Sequence, residues 1–595
     1  MKLSSIYNIA LAGLFVLGLT ACEDFLDQEP DERVTVQNEE QVLKLLTSSY
    51  NTSNYGWTCE ISSDNLIDLT APHLPADVNS KQIKSYSVLN YYDRGDEEAF
   101  KFEQVNSNTG SDSPRSIWNG CYASIASCNI ALQYIDEQVA ANGGKWTERL
   151  RAAYGEALLN RAYNHFLLVN IFSQAYKGDE ASSKDLGVAY NRDVETKVHV
   201  HYERGTVTET YKEIQKDLEE GLKYVTDHYY EKPKWHFNVN AAHAFAARFY
   251  LFKHDYDKVI EHADYVLGTD SAKIASMLMT YVDFDKCTNG SDYNNKWIAP
   301  TLNNNLMLVA TYSTASRRML GNRFACAGIP LRALYTRSGP TWAWTIVPAA
   351  SVSGGTFWDG YSEHGYAWMK AGEQFEYSDK IAGIGYPHII RREFTCNELL
   401  LCRAEALLLG RHDKAACLRD LAAYEQSRHN FSEETLKFWM AGGSGLKDLT
   451  KDIIDSWYSR CEYDNIRYLN CFPYDKSEYG DAVDHFGWRD AANMGVIVAP
   501  DEIGYMNCIN EYRRYETAFE GPRFFDLKRW GIPYTHEVGH EAEKITLTWN
   551  DPRRAIEIPA DAIAAGHEAS QEQYKTNGKK ATSDGSFIKF SGFEF

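Results

Sequence analysis

The sequence predicts a mainly α protein: a superhelix of helical hairpins with long loop-rich insertions and a minor β content. Three observations predict it. Apolar residues recur at three- and four-residue spacing in several blocks, and short turn-forming runs separate those blocks into pairs. Two stretches, about 51–115 and 270–390, lose that periodicity and fill with Gly, Asn, Ser and aromatic residues. With 595 residues, 44% of them hydrophobic, the chain has the length and composition to bury a large core.

The helices follow in order. From Ile117 to Ile135 the residues Trp118, Tyr122, Ile125, Ala126, Ile130 and Leu132 fall on one stripe, and Asn142-Gly143-Gly144 turns the chain into a second stripe from Leu150 to Val169. A third helix, Val207 to Val225, carries Tyr211, Ile214, Leu218 and Leu222 inward. The fourth, Asn238 to Phe252, is dense in alanine, and small residues let helices approach closely. After His254-Asp255 a fifth begins at Tyr256, so residues 238–268 resemble one tetratricopeptide unit. Phe394 to Leu409 with Ala415 to Tyr424 reads as a second. Single units cannot bury their apolar faces alone, so several should stack.

The 82 acidic and 61 basic residues leave a formal charge of −21, which repels phosphate backbones and argues against nucleic acid as a partner. Mean hydropathy is −0.46, and no apolar run of membrane-spanning length follows residue 21. Residues 1–21, with Lys2 and the apolar stretch Ile9 to Leu19, have the layout of a bacterial secretory signal. The run Leu19-Thr20-Ala21-Cys22 resembles the lipobox of bacterial lipoproteins, which makes Cys22 the expected lipidation site. Glu23 and Asp24 resemble the surface-export signal of Bacteroidetes lipoproteins. The other 11 cysteines include no C-x-x-C pair, and Cys121, Cys128, Cys402 and Cys417 fall in apolar helical patterns as buried thiols.

Catalytic motifs are sparse. His536-Glu537-Val538-Gly539-His540 matches H-E-x-x-H, in which two histidines one helical turn apart ligate zinc. Gly539, Pro533 and the strand-like Ile545 to Thr548 argue against the required helix, and the position 19 after His540 is Pro559, not a glutamate ligand. No nucleophile elbow, phosphate-binding glycine loop or dinucleotide fingerprint occurs. The expectation is a chain with no catalytic residues, no metal and no cofactor.

Near the C-terminal end, Glu516-Thr-Ala-Phe519-Glu520-Gly521-Pro-Arg523-Phe-Phe525-Asp526-Leu527-Lys-Arg529-Trp530-Gly531 resembles the signature of the SusD/RagB family of Bacteroidetes outer-surface lipoproteins. Phe25-Leu26-Asp27, Glu156 through Arg161-Ala162-Tyr163, Arg204-Gly-Thr-Val207, Ala404-Glu405-Ala406 and Ile556-Glu557-Ile558-Pro559 match the family in the same order. Physically, Glu516, Glu520, Arg523, Asp526 and Arg529 stand at helical intervals where opposite charges can pair, with Phe519, Leu527 and Trp530 inward.

The resemblance implies a SusD-like domain over 22–595 that captures oligosaccharide or polysaccharide at the cell surface and caps a SusC-like TonB-dependent transporter. It also implies that glycan binds on loop-borne aromatics of the two aperiodic regions. Tyr and Trp, 39 and 14 against 26 Phe, combine a flat apolar face with a polar edge suited to sugars. The expected ligand-binding residues are Asp64, Asn90, Tyr91, Tyr92 and Arg94 in the early region and Arg318, Trp342, Trp344 and Trp358 in the middle one, with Tyr312, Arg317 and Arg323 also near. Two alternatives remain: a member that binds peptides, and an interaction scaffold without a small ligand.

Overall fold

The computed structural model describes residues 38–71, 93–195, 202–287, 289–319, 323–326, 334, 369–428, 448–458, 484 and 486–570. The chain enters through α1 (Glu39–Ser48), α2 (Gly56–Ile61), β1 (Ile67–Asp68) and α3 (Arg94–Phe100) before its first long hairpin, α4 (Pro114–Ala141) and α5 (Glu148–Phe172). Ser113 caps α4, with Pro114 in the first turn, and Thr147 caps α5; each side chain accepts a hydrogen bond from an otherwise unpaired helix N–H. The turn between them is the Asn-Gly-Gly run. A reciprocal Thr206–Glu209 capping box starts α6 (Val207–Leu222), which packs along α5.

The expected tetratricopeptide-like pairs are both present. In the first, α7 (Val239–Phe252) packs on α8 (Tyr256–Leu267), and Ala241, Ala242, Ala244, Ala246 and Ala247 are all buried. Next come β2 (Asn305–Tyr312), β3 (Phe324–Ala325), β4 (Glu373–Asp379) and β5 (Ile384–Thr395), and β5 runs straight into α9 (Cys396–Arg411). The helix expected from Phe394 therefore starts two residues later, because Thr395 is its cap and accepts from Glu398 N. The second pair is α9 with α10 (Lys414–Arg428); α8 packs on α9, so the hairpins stack as the periodicity requires. The chain continues through α11 (Lys451–Tyr458), α12 (Ile503–Thr517), α13 (Pro522–Arg529) and a hairpin of β6 (Tyr534–Val538) and β7 (Glu543–Leu547). One buried cluster draws on α5, α7, α8, α9 and α12 and forms the main core. Cys121, Cys128, Cys402 and Cys417 are buried thiols, and burial pushes each pKa up.

Two further expectations change. The middle region contributes an antiparallel sheet in the order β2-β5-β4 rather than loop alone. The signature run is not one helix: it breaks between Thr517 and Pro522, with Phe519 at φ 63° and Gly521 at φ 99°. A side chain at Gly521 would also stand 2.8 Å from the Tyr55 ring, so glycine is required twice over. The charges of the signature are accordingly divided between two helices and the turn joining them, and Glu516, Arg523, Asp526 and Arg529 are buried. The H-E-x-x-H run lies on β6 and its turn, not on a helix, and the strand expected over Ile545 to Thr548 is β7. His536 is buried with both ring nitrogens against backbone carbonyls, Nδ1 2.7 Å from Phe100 O and Nε2 2.8 Å from Ser63 O.

Candidate ligand-binding face

A chain of buried opposite charges ties the helices to the sheet. Arg529 grips Glu405 through two hydrogen bonds of 2.6 and 2.7 Å and also donates to Asp526, which accepts from Arg513 on its other oxygen. Arg513 lies 3.7 Å from Glu398, which accepts from Arg248 at 3.0 Å. Arg248 approaches Glu393 on β5, and Glu393 in turn accepts from Arg391, Tyr55 and Tyr163. Burial alone would raise the Glu393 pKa, but Arg391 and Arg248 hold its carboxyl below the ordinary value. Each charge has an opposite partner and hydrogen bonds, the condition under which buried ions are tolerated. The result is a β5 fixed at its root in the helical stack.

At its other end the sheet reaches solvent. Tyr312 on β2 is 45% exposed and Tyr386 on β5 is 56% exposed, and their rings meet edge to face at 5.7 Å. Glu376 is the direct partner of Tyr386 across the strands, so Phe375 and Tyr377, which pair with Pro387 and Gly385, project from the opposite side. Those two rings are also exposed, 4.9 Å apart. Gly385 permits this arrangement: a Cβ there would lie 2.0 Å from Glu376 O and 2.7 Å from the Phe375 ring. Asp379 closes the hairpin by accepting from Ile381 N and Ala382 N.

The early and middle regions converge on this sheet. Tyr312 N donates to Thr52 O at 2.7 Å, Asn54 donates to Thr311, and β1 pairs with β3 through Ile67↔Ala325 and Asp68↔Phe324. Asp112 accepts from Ser313 and Thr314 at 2.6 and 2.8 Å. Beside the sheet, Arg317 on an exposed turn of helix clasps Glu373 at 2.6 Å. Two flat exposed rings in edge contact, with the exposed Glu376 carboxylate on the same face of the sheet, can stack against the apolar face of a ligand while bonding its hydroxyls.

Residues 24–251 match a family described as SusD-like, "Starch-binding associating with outer membrane". No curated protein matches the chain in sequence. Solved structures share its fold across nearly their whole lengths. A SusD superfamily protein from Bacteroides vulgatus ATCC 8482 superposes with TM-score 0.54 at 13% identity, over 90% of this chain and 99% of that one. A SusD-like carbohydrate binding protein from the same organism gives 0.52 at 14%, over 89% and 97%. A SusD superfamily protein from Bacteroides fragilis gives 0.51 at 15%, over 90% and 99%.

The fold is that of the SusD-like proteins. In this chain the residues singled out from sequence fall into three groups. Cys22, Asn90, Tyr91, Tyr92, Trp342, Trp344 and Trp358 lie outside the described residues. Arg94, at the start of α3, has a side chain 76% exposed and 3.4 Å from Glu98. Asp64 and Arg318 are inside. Asp64 is bound by Arg523 through two bonds of 2.7 Å; burial pushes its pKa up, but Arg514 and Arg523 outweigh that and bring it to about 2. Arg318 pairs with Asp96 at 2.8 Å and Asp93 at 3.3 Å. A ligand-facing role for either would require those pairs to open. Through Asp93, the N-cap of α3, Arg318 and Arg94 are brought to one corner. Sequence reasoning missed Phe375, Tyr377 and Tyr386 of the SusD-like sheet. The available signal was the alternation Phe375-Glu-Tyr377 before the Gly383-Ile-Gly385 turn.

Proposed function

We propose that this protein is a cell-surface lipoprotein that captures oligosaccharide or polysaccharide and hands it to a SusC-like TonB-dependent transporter in the outer membrane. The observation that carries the reading is the exposed Tyr312–Tyr386 pair on the sheet where the early and middle regions meet. It is supported by the family description, starch binding in association with the outer membrane, and by the carbohydrate-binding SusD-like protein that shares the fold. Tyr312, Tyr386, Arg94 and Arg317 form the described part of the ligand face. Tyr91, Tyr92, Asn90, Trp342, Trp344 and Trp358 complete it in this reading.

Residues 1–21 act as the export signal and Cys22 carries the acyl chains, each buried methylene adding about 0.8 kcal/mol of membrane affinity. Among the described residues no helix is long and apolar enough to cross a membrane, in keeping with an anchor at the chain's start. Glu405, Asp526, Glu398 and Glu393 are held in buried ion pairs, so the reading assigns them to structure and assigns the protein no reaction.

The test is a polysaccharide panel in affinity gels with starch and other storage and cell-wall glycans, run beside a peptide panel. Retardation by at least one glycan, lost in Trp342→Ala or Tyr91→Ala, supports the reading. Binding of peptides and no glycan overturns it. Co-purification of a TonB-dependent transporter from outer membranes with the tagged full-length protein tests the handover.

A further inference from the structure

A second pocket, of about 410 Å³, opens beside α4 and is not part of the sheet. Trp118 and Tyr122, one turn apart on that helix, form its wall, with ring centroids 4.9 Å apart and planes inclined by 59°. The Tyr122 hydroxyl donates to Ala189 O at 3.2 Å, which fixes the ring. Opposite stands the segment Asn191–Glu195. Asn191 is nine-tenths buried and pinned through its backbone: its N–H donates to His165 Nε2 and its carbonyl accepts from Asn129. Its side-chain oxygen nevertheless has no hydrogen-bond partner, an unfavourable state for a buried acceptor unless a ligand supplies a donor.

The charge of the pocket is one-sided. Asp193 and Glu195 line it, while no lysine or arginine does among the described residues. Of the neighbouring cations, Arg192 is turned to Glu213 and Asp217 at 2.7 and 2.9 Å, Arg161 bonds Asp217 and Asn129, and Arg204 donates to the Gly187 and Glu568 carbonyls. A wall of aromatic rings with two carboxylates and an unmatched acceptor is the chemistry that recognises an organic cation. The two carboxylates repel anionic ligands; Glu195 accepts from Tyr202, and Asp193 is exposed at the pocket with its charge open to a cation.

We propose that this pocket binds a small hydroxyl-bearing alkylammonium ion, with its cationic head against Trp118 and Tyr122 near Asp193 and its hydroxyl donating to Asn191. The site is independent of the glycan face. The probe is choline chloride, titrated calorimetrically into the full-length protein at constant ionic strength and compared with 3,3-dimethylbutan-1-ol, the neutral isostere that keeps shape and hydroxyl. Choline should bind at least about tenfold more tightly than the isostere. Asn119 is exposed on the pocket rim, and Asn119→Lys should abolish choline binding, while Asp193→Asn weakens it. Tyr312→Ala should leave it unchanged. Equal affinity for choline and its isostere, no heat with choline, or undiminished binding in Asn119→Lys at an unaltered unfolding temperature would each overturn the proposal.

Discussion

Arg523 donates two hydrogen bonds of 2.7 Å to the carboxylate of Asp64 across 459 residues of chain. One partner belongs to the signature helix α13 and the other to the early region, so the pair fixes that region to the C-terminal part of the core. Arg514 joins it through Asn65 and the Asp64 carbonyl.

Removing Arg523 leaves the buried Asp64 carboxylate with Arg514 alone, 3.7 Å away. Arg523→Met should lower stability by about 3 kcal/mol, and adding Asp64→Leu should not restore it, because the buried Arg514 then loses its counter-charge. Urea denaturation of the two variants checks it. A single-variant loss below about 1 kcal/mol would mean that the pair behaves as an exposed one does.

The break in the signature makes a second expectation. Gly521→Ala adds a Cβ 2.8 Å from Tyr55 at φ 99°, so both strain and overlap oppose it. Thermal unfolding should register a loss of roughly 2 kcal/mol or more.

Glu425 supplies a pH dependence. It is buried on α10, one carboxyl oxygen accepts from Tyr512 at 3.0 Å and the other has no partner; burial raises its pKa to about 8. The folded state therefore keeps this proton at pH values where the unfolded chain has released it. The stability contributed by the protonated form is present below about pH 4 and is lost as pH rises to about 8. Glu425→Gln should remove that loss, so the variant gains on the parent protein in unfolding temperature between pH 5 and about pH 8. Parallel pH profiles would disprove the assignment.

The histidine pair of the H-E-x-x-H run should not behave as a metal site. His536, on β6, faces the backbone carbonyls of Phe100 and Ser63, while His540 lies beyond the strand in the turn. Zinc should produce no rise in unfolding temperature that His540→Ala removes. Such a rise would restore the metalloprotease reading.

Much of the stack was legible because helices announce themselves locally: the stripe through Trp118, Tyr122 and Ile125, and the alanines of α7, follow from spacing alone. The start of α9 was misread by two residues because Phe394 fits either a strand end or a helix face, and only the Thr395 cap decides. The sheet itself was hidden. Its pairing of Tyr312 with His388 spans residues distant in sequence, and neither strand has a long run of alternating polarity. For the candidate site, spacing says which residues have the right chemistry but not which are buried. Asp64 and Arg318 have side chains fit for sugar hydroxyls, yet opposite charges brought up from remote segments hold them. Tyr386 stood unremarked because a tyrosine after glycine carries no local mark of exposure.

The central claim is that the Tyr312–Tyr386 platform contacts glycan. The most direct measurement is the affinity of Tyr312→Ala/Tyr386→Ala for whichever polysaccharide retards the parent protein in the panel. Loss of two stacking rings should weaken it by about tenfold or more at an unchanged unfolding temperature. Equal retardation of the double variant and the parent would contradict the account.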